Sequence, residues 1–186
     1  DLRMSRGLGD VYKRQALNPE HPVLRGSAEN SDIFFQHREA CNQYYNDAVA
    51  TTELYMNKVN EKLGTDYKLF NYYGAPDAER VIIAMGSVCD TIKETIDFLN
   101  ARGEKVGLVC VHLYRPFSAK HLIDAIPDSV KTISVLDRTK EPGALGEPLY
   151  LDVVAALKGS KFDGVEILGG RYGLGSKDTV PANIIS

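Results

Sequence analysis

The sequence predicts an α/β fold with a mainly parallel sheet and helices on both faces, preceded by an irregular segment with one amphipathic helix. Three observations carry this. Short β-branched runs end in glycine-rich or polar loops; helical periodicity follows each run; and the alternation repeats from Arg80 to the C-terminus. The clearest unit is Lys131 to Leu157. Ile133 to Leu136 reads as a buried strand, Asp137-Arg138-Thr139 follow its end, and Pro142, Gly143, Gly146 and Pro148 mark a loop. Leu149, Val153, Ala156 and Leu157 then recur at helical spacing, with Pro148 suited to the first helical position.

The other units follow the same logic. Arg80 to Ala84 is a strand running to Met85-Gly86-Ser87. Asp90 is placed to cap a helix with Ile92, Ile96 and Leu99 on one face, stopped near Gly103. Lys105 to Leu113 is a second strand, ending at Tyr114-Arg115-Pro116-Phe117. Ser118 caps a helix through Leu122, Ile123 and Ile126, halted by Pro127. Val165 to Leu168 is the fourth strand, followed by the glycine-rich stretch Gly169 to Asp178.

Upstream, Val49, Thr52, Met56, Val59 and Leu63 form an apolar stripe, predicting a helix from Asp47 to Leu63 that Gly64 stops. Asn46 or Asp47 is its expected N-cap. Thr65 to Asp77 reads as a tyrosine-rich connector, with a domain boundary at Pro76. Ala16 to Asn46 shows little periodicity, with short apolar anchors at Ile33–Phe35 and Tyr44–Tyr45.

The chain has 186 residues, 44% apolar and 25% charged, and a net charge of −3. This suits a globular protein and gives no basic footprint for nucleic acid. No apolar run approaches the ~20 residues of a membrane span, and no secretory signal pattern is visible, so a cytoplasmic location is expected. The three cysteines are scattered, without C-x-x-C spacing, and the four histidines lack ligand spacing. Cys110, within an apolar run, reads as a small hydrophobe.

Ser5 to Gln15, SRGLGDVYKRQ, resembles one translation frame of a widely used transposase-type sequencing adapter. Residues 1–15 are therefore expected to be an artefact, disordered and without packed contacts. Deleting them is expected to leave stability unchanged within about 0.5 kcal/mol, as for neutral surface changes.

Chemistry is sparse. Gly170-x-x-Gly173-x-Gly175 has the wrong order for a dinucleotide fingerprint, and no G-K-[ST] follows. Asp137, Arg138, Lys140 and Glu141 crowd one strand end; Arg115 ends a neighbouring strand, and Arg171 and Tyr172 follow another. Converged, these loops form either a clamp for a phosphate or carboxylate, which guanidinium forks match, or an internal ion-pair network with Asp137 pairing one of the arginines. No catalytic constellation is defined by spacing, so no catalytic, cofactor-binding or metal residue is assigned.

Strings throughout the chain resemble pyruvate:ferredoxin (flavodoxin) oxidoreductase: LNPEHPVLRG (17–26), FFQHREACNQYY (34–45), YGAPDAERVIIAMGS (73–87), LYRPF (113–117), LDRTKEPGALGEPLYLDV (136–153) and GGRYGLGSKD (169–178). His37, His112 and Leu145 depart from the expected glycine, arginine and proline. The resemblance implies that residues 16–76 are the tail of a pyrimidine-binding thiamine diphosphate domain with its linker helix. It also implies that residues 77–186 are a transketolase C-terminal-like domain, three-layered α/β/α. The parent enzyme would oxidise pyruvate with coenzyme A to acetyl-CoA and carbon dioxide, passing electrons to ferredoxin or flavodoxin. It would use thiamine diphosphate, magnesium and iron–sulfur clusters, and work as a homodimer. None of those cofactors is expected to be bound by this fragment, which would serve as a structural and subunit-contact part, inactive alone. Its partners would be the remaining domains and a second subunit. The alternatives are a coenzyme A or anion binding module, and a parent acting on another 2-oxo acid.

Overall fold

The computed structural model describes residues 28–185. The adapter-like stretch and the segment from Ala16 to Ser27 lie outside the described residues. The chain divides after Asn42 into two compact units. Within the first, Phe34–Ala40 forms a short helix, α1, in the stretch read as irregular. Everything that follows concerns the second unit.

Helix α2 (Asn42–Leu63) begins five residues before the sequence analysis placed it, so Asn46 and Asp47 are interior rather than capping. Tyr44 and Tyr45 carry the helix over this extra turn although they lack a buried face to mark it. Gly64, at φ 68°, stops the helix as expected. Five strands then form one sheet: β1 (Phe70–Gly74), β2 (Arg80–Met85), β3 (Val106–Val111), β4 (Thr132–Asp137) and β5 (Glu166–Arg171), in the order β1-β3-β2-β4-β5. All neighbours run parallel except β1, which is antiparallel to β3. The stretch read as a connector thus supplies an edge strand. Its aromatic side chains favour extended backbone, but with only one residue, Phe70, fully buried, the alternation is too weak to announce it.

Helices α3 (Val88–Asn100), α4 (Ala119–Ala125) and α5 (Pro148–Leu157) connect the parallel strands. Side-chain alternation assigns them to faces. Val81, Ile83, Val109, Val111, Ile133 and Val135 face one core with Leu122, Leu149, Val153 and Leu157 of α4 and α5. Ala84, Val106, Leu108 and Cys110 face a second core with Val88, Cys89, Ile92 and Ile96 of α3. Three layers result. Each fully buried Leu, Ile or Val contributes about 1.5–3 kcal/mol relative to exposure. Ile126 is extended ahead of Pro127, which ends α4.

Two further elements differ from expectation. β5 runs through Gly169 and Gly170 to Arg171, so the first part of the glycine-rich stretch is strand. The glycines are required by packing, not by a turn: a Cβ on Gly169 would meet the Tyr150 ring at 3.2 Å, and one on Gly170 would meet Leu136 Cδ2 at 2.7 Å. A short helix, α6 (Pro181–Ile185), places Ile184 against the α3 core.

Gly74 ends β1 at φ 126°, where a Cβ would lie 2.6 Å from the Val106 carbonyl oxygen. Gly64 also has positive φ but opens onto empty space. Gly74→Ala is therefore expected to destabilise the chain by about 2 kcal/mol or more, and Gly64→Ala by about 1 kcal/mol, in urea unfolding.

Candidate functional site

β2 and β4 are neighbours, yet their onward connections diverge: α3 leads from β2 to β3 on one side, and α5 from β4 to β5 on the other. That divergence opens a crevice at the carboxyl ends of the strands, the usual ligand position in an open α/β sheet. The candidate residues lie around it.

Asp137 closes β4 and is 3% exposed. Its Oδ1 accepts from the Leu149 N–H at 3.0 Å and its Oδ2 from the Tyr150 N–H at 3.1 Å. These are first-turn donors of α5 that have no partner within the helix. The carboxylate therefore caps a helix twelve residues further on, where negative charge is also favoured by the helix dipole. The expected pairing of Asp137 with an arginine does not occur; backbone N–H groups take that place. Burial pushes the Asp137 carboxyl above its ordinary value, and the two N–H donors offset only part of the rise.

The arginines find other acids. Arg171 Nη1 lies 2.9 Å from Glu147 Oε1, while Glu147 Oε2 accepts from the Glu141 N–H at 2.8 Å. One buried carboxylate thus ties the end of β5 to both ends of the loop before α5. Burial raises the Glu147 carboxyl, but Arg171 and the Glu141 N–H outweigh it and hold it below its ordinary range. Arg115 Nη2 donates to Asp152 of α5 at 2.6 Å and to the Tyr114 hydroxyl at 3.1 Å, with its guanidinium 4.0 Å from the Tyr114 ring centroid. Arg138 Nε donates to the Gly173 carbonyl at 3.1 Å. The Tyr172 hydroxyl reaches toward the Met85 carbonyl at 3.4 Å, across the crevice, and the Tyr172 N–H donates to the Asp137 carbonyl at 3.1 Å. Lys140 is exposed, and its charge acts on Glu147.

Asp137, Arg138, Arg171 and Tyr172 are thus brought together at adjacent strand ends, and Arg115 joins them through α5. Glu147 and Asp152 were missed from the sequence. An acid directly before a helix-starting proline was the available signal for Glu147; Asp152 sits mid-helix and offers none. Beside Tyr172, a cavity of about 160 Å³ is lined by Ser87, Thr91, Arg138 and Lys177, and another of about 380 Å³ by Leu136, Arg171 and Leu174. Among the described residues no group of three or more His, Cys, Asp or Glu side chains could hold a metal ion. No described helix is long and apolar enough to cross a membrane.

This geometry defines an α/β sheet domain whose strand-end charges are directed inward, onto its own loops and helix α5. The family it falls in is specific: residues 78–184, more than half of the chain, match the pyruvate:ferredoxin oxidoreductase core domain II, and the chain belongs to that family. Among curated proteins it is 61% identical over 175 residues to the pyruvate-flavodoxin oxidoreductase of Enterobacter agglomerans, and 53% identical over 174 residues to the pyruvate:ferredoxin oxidoreductase of Moorella thermoacetica. Each alignment covers 94% of this chain and 15% of the relative, so the chain spans about 15% of the length of the curated relatives it matches. Among solved structures, a 2-oxoglutarate:ferredoxin oxidoreductase from Magnetococcus marinus aligns with a TM-score of 0.44 at 21% identity, covering 70% of this chain and 20% of that one.

Removing the Asp137 carboxylate strands two buried N–H donors. Asp137→Ala is expected to cost about 2 kcal/mol in urea unfolding at neutral pH. Glu147 behaves in the opposite sense to a carboxyl raised by burial. Its depressed value contributes stability that is present above its ordinary 4.5 and lost as pH falls through the folded value. Glu147→Gln is accordingly expected to unfold with a shallower loss of stability below pH 4.5 than the parent chain, followed by circular dichroism across an acid titration.

Proposed function

We propose that this chain is a structural and subunit-contact part of an enzyme that oxidises pyruvate with coenzyme A to acetyl-CoA and carbon dioxide, reducing ferredoxin or flavodoxin. Residues 77–186 serve as the transketolase C-terminal-like domain, with Phe70–Gly74 adding its antiparallel edge. Residues 16–76 otherwise belong with the preceding pyrimidine-side domain. Thiamine diphosphate and magnesium supply the carbanion chemistry in such an enzyme, and iron–sulfur clusters carry the electrons. The described residues do not fit those groups. Asp137 is committed to backbone N–H donors, Cys89 and Cys110 are buried within a core, and no acid or histidine cluster converges. The cofactors are thus held by other parts of the parent, which acts as a cytoplasmic homodimer.

One observation carries the scaffold reading: the charged groups at the strand ends are engaged by partners within the domain. Arg115 binds Asp152, Arg171 binds Glu147, and Arg138 binds a loop carbonyl. A coenzyme A or anion module built on Arg115, Lys140 and Arg171 would need to break two of these pairs before binding. The scaffold reading requires no such rearrangement.

Within the parent enzyme, Arg115→Met and Asp137→Asn are expected to lower the yield of assembled dimer, measured by size-exclusion chromatography with light scattering. Normal assembly combined with lost coenzyme A affinity would instead favour the binding module. Supplied with thiamine diphosphate, magnesium and pyruvate, the chain alone is expected to release no carbon dioxide above background.

A further inference from the structure

Two cysteines face each other across the second core. Cys110 lies near the end of β3 and pairs in register with Ala84 of β2. Directly beyond Ala84 the chain reverses at Gly86, whose φ is 79°, and the Cys89 N–H donates to the Gly86 carbonyl at 3.1 Å. This folds the first turn of α3 back over the end of β3. Both cysteines belong to one packed cluster with Val88, Ile92 and Leu108, at 6% and 4% exposure, and both are free thiols.

The two sulfurs also differ. The Cys89 thiol shares a hydrogen bond with Cys110 and is buried, which pushes it up; the same bond holds Cys110 down, and the Lys93 ammonium favours the anion at both. Cys89 is thus the donor and Cys110 the acceptor. Cys110 additionally lines a cavity of about 360 Å³ with Asn71, Tyr73, Lys93 and His112, whereas Cys89 does not. A small polar oxidant entering there meets the Cys110 sulfur first, beside a cation and hydrogen-bonding groups.

We propose that Cys110 and Cys89 form a hydroperoxide-responsive dithiol site, Cys110 reacting at the cavity and Cys89 resolving it from the first turn of α3. In the first step the Cys110 thiolate attacks the peroxide O–O bond, giving a sulfenic acid and releasing hydroxide, which takes up the thiol proton as water. In the second the Cys89 sulfur attacks the sulfenic sulfur. An S–S bond forms, the S–O bond breaks, and a second water leaves. Two thiols are oxidised by two electrons and one hydroperoxide is reduced. The product fastens α3 to β3 beside the crevice between β2 and β4.

The test is hydrogen peroxide treatment of the full chain, followed by thiol titration in denaturant and non-reducing peptide mass mapping. The free thiols are expected to fall from three to one, with a Cys89–Cys110 cross-linked peptide lighter by two hydrogen atoms and Cys41 still reduced. In Cys89→Ser the cross-link is lost and dimedone labels Cys110. Retention of all three thiols, a cross-link through Cys41, or a Cys89→Ser protein with no dimedone adduct at Cys110 would overturn the proposal.

Discussion

The domain depends on one long-range cap. Asp137 ends the strand next to the sheet's centre, and its carboxylate holds the first turn of α5 through the Leu149 and Tyr150 N–H groups. A buried acid normally requires a cation or a hydrogen-bonding nest to compensate its lost hydration. Here the helix terminus is that nest, and the acid in turn satisfies donors the helix leaves open. Once α5 is fixed, Glu147 directly before it and Asp152 within it are set where Arg171 and Arg115 can reach them. The mixed-charge patch follows from the cap rather than preceding it.

This order explains how much could be read from the chain. The parallel units were legible because each places β-branched residues on both faces of a buried strand and an apolar stripe on the next helix. Ile133, Val135, Leu149, Val153 and Leu157 all lie in one core, as their spacing implies. Pro148 at the start of α5 and Gly64 after α2 were legible as backbone constraints. The edge strand Phe70–Gly74 was not, because an edge strand with mixed exposure loses the alternation that marks it. Nor was the extension of β5 through two glycines. Glycine pairs locally suggest a loop, and only the Tyr150 ring and Leu136 side chain packed over them show why a strand needs them.

The candidate site was legible as a location and not as a set of pairings. Asp137, Arg138, Arg171 and Tyr172 do meet at adjacent strand ends, because parallel strands deliver their following residues to the same edge. Which charge meets which depends on α5's placement, a tertiary fact with no local pattern. Arginine–aspartate pairing was the simplest electrostatic guess, and a helix terminus replaced it. Membership of the core domain II family then gives the arrangement its context: a small share of a much longer enzyme, folded around its own charges.

Amide hydrogen exchange of Leu149 and Tyr150 in the parent chain and in Asp137→Ala tests the cap most directly. The account predicts strong protection at both amides in the parent chain. In the variant that protection is lost and exchange quickens at the Glu141 and Tyr172 amides, which the same loop set holds. Unchanged protection at Leu149 and Tyr150 would contradict it.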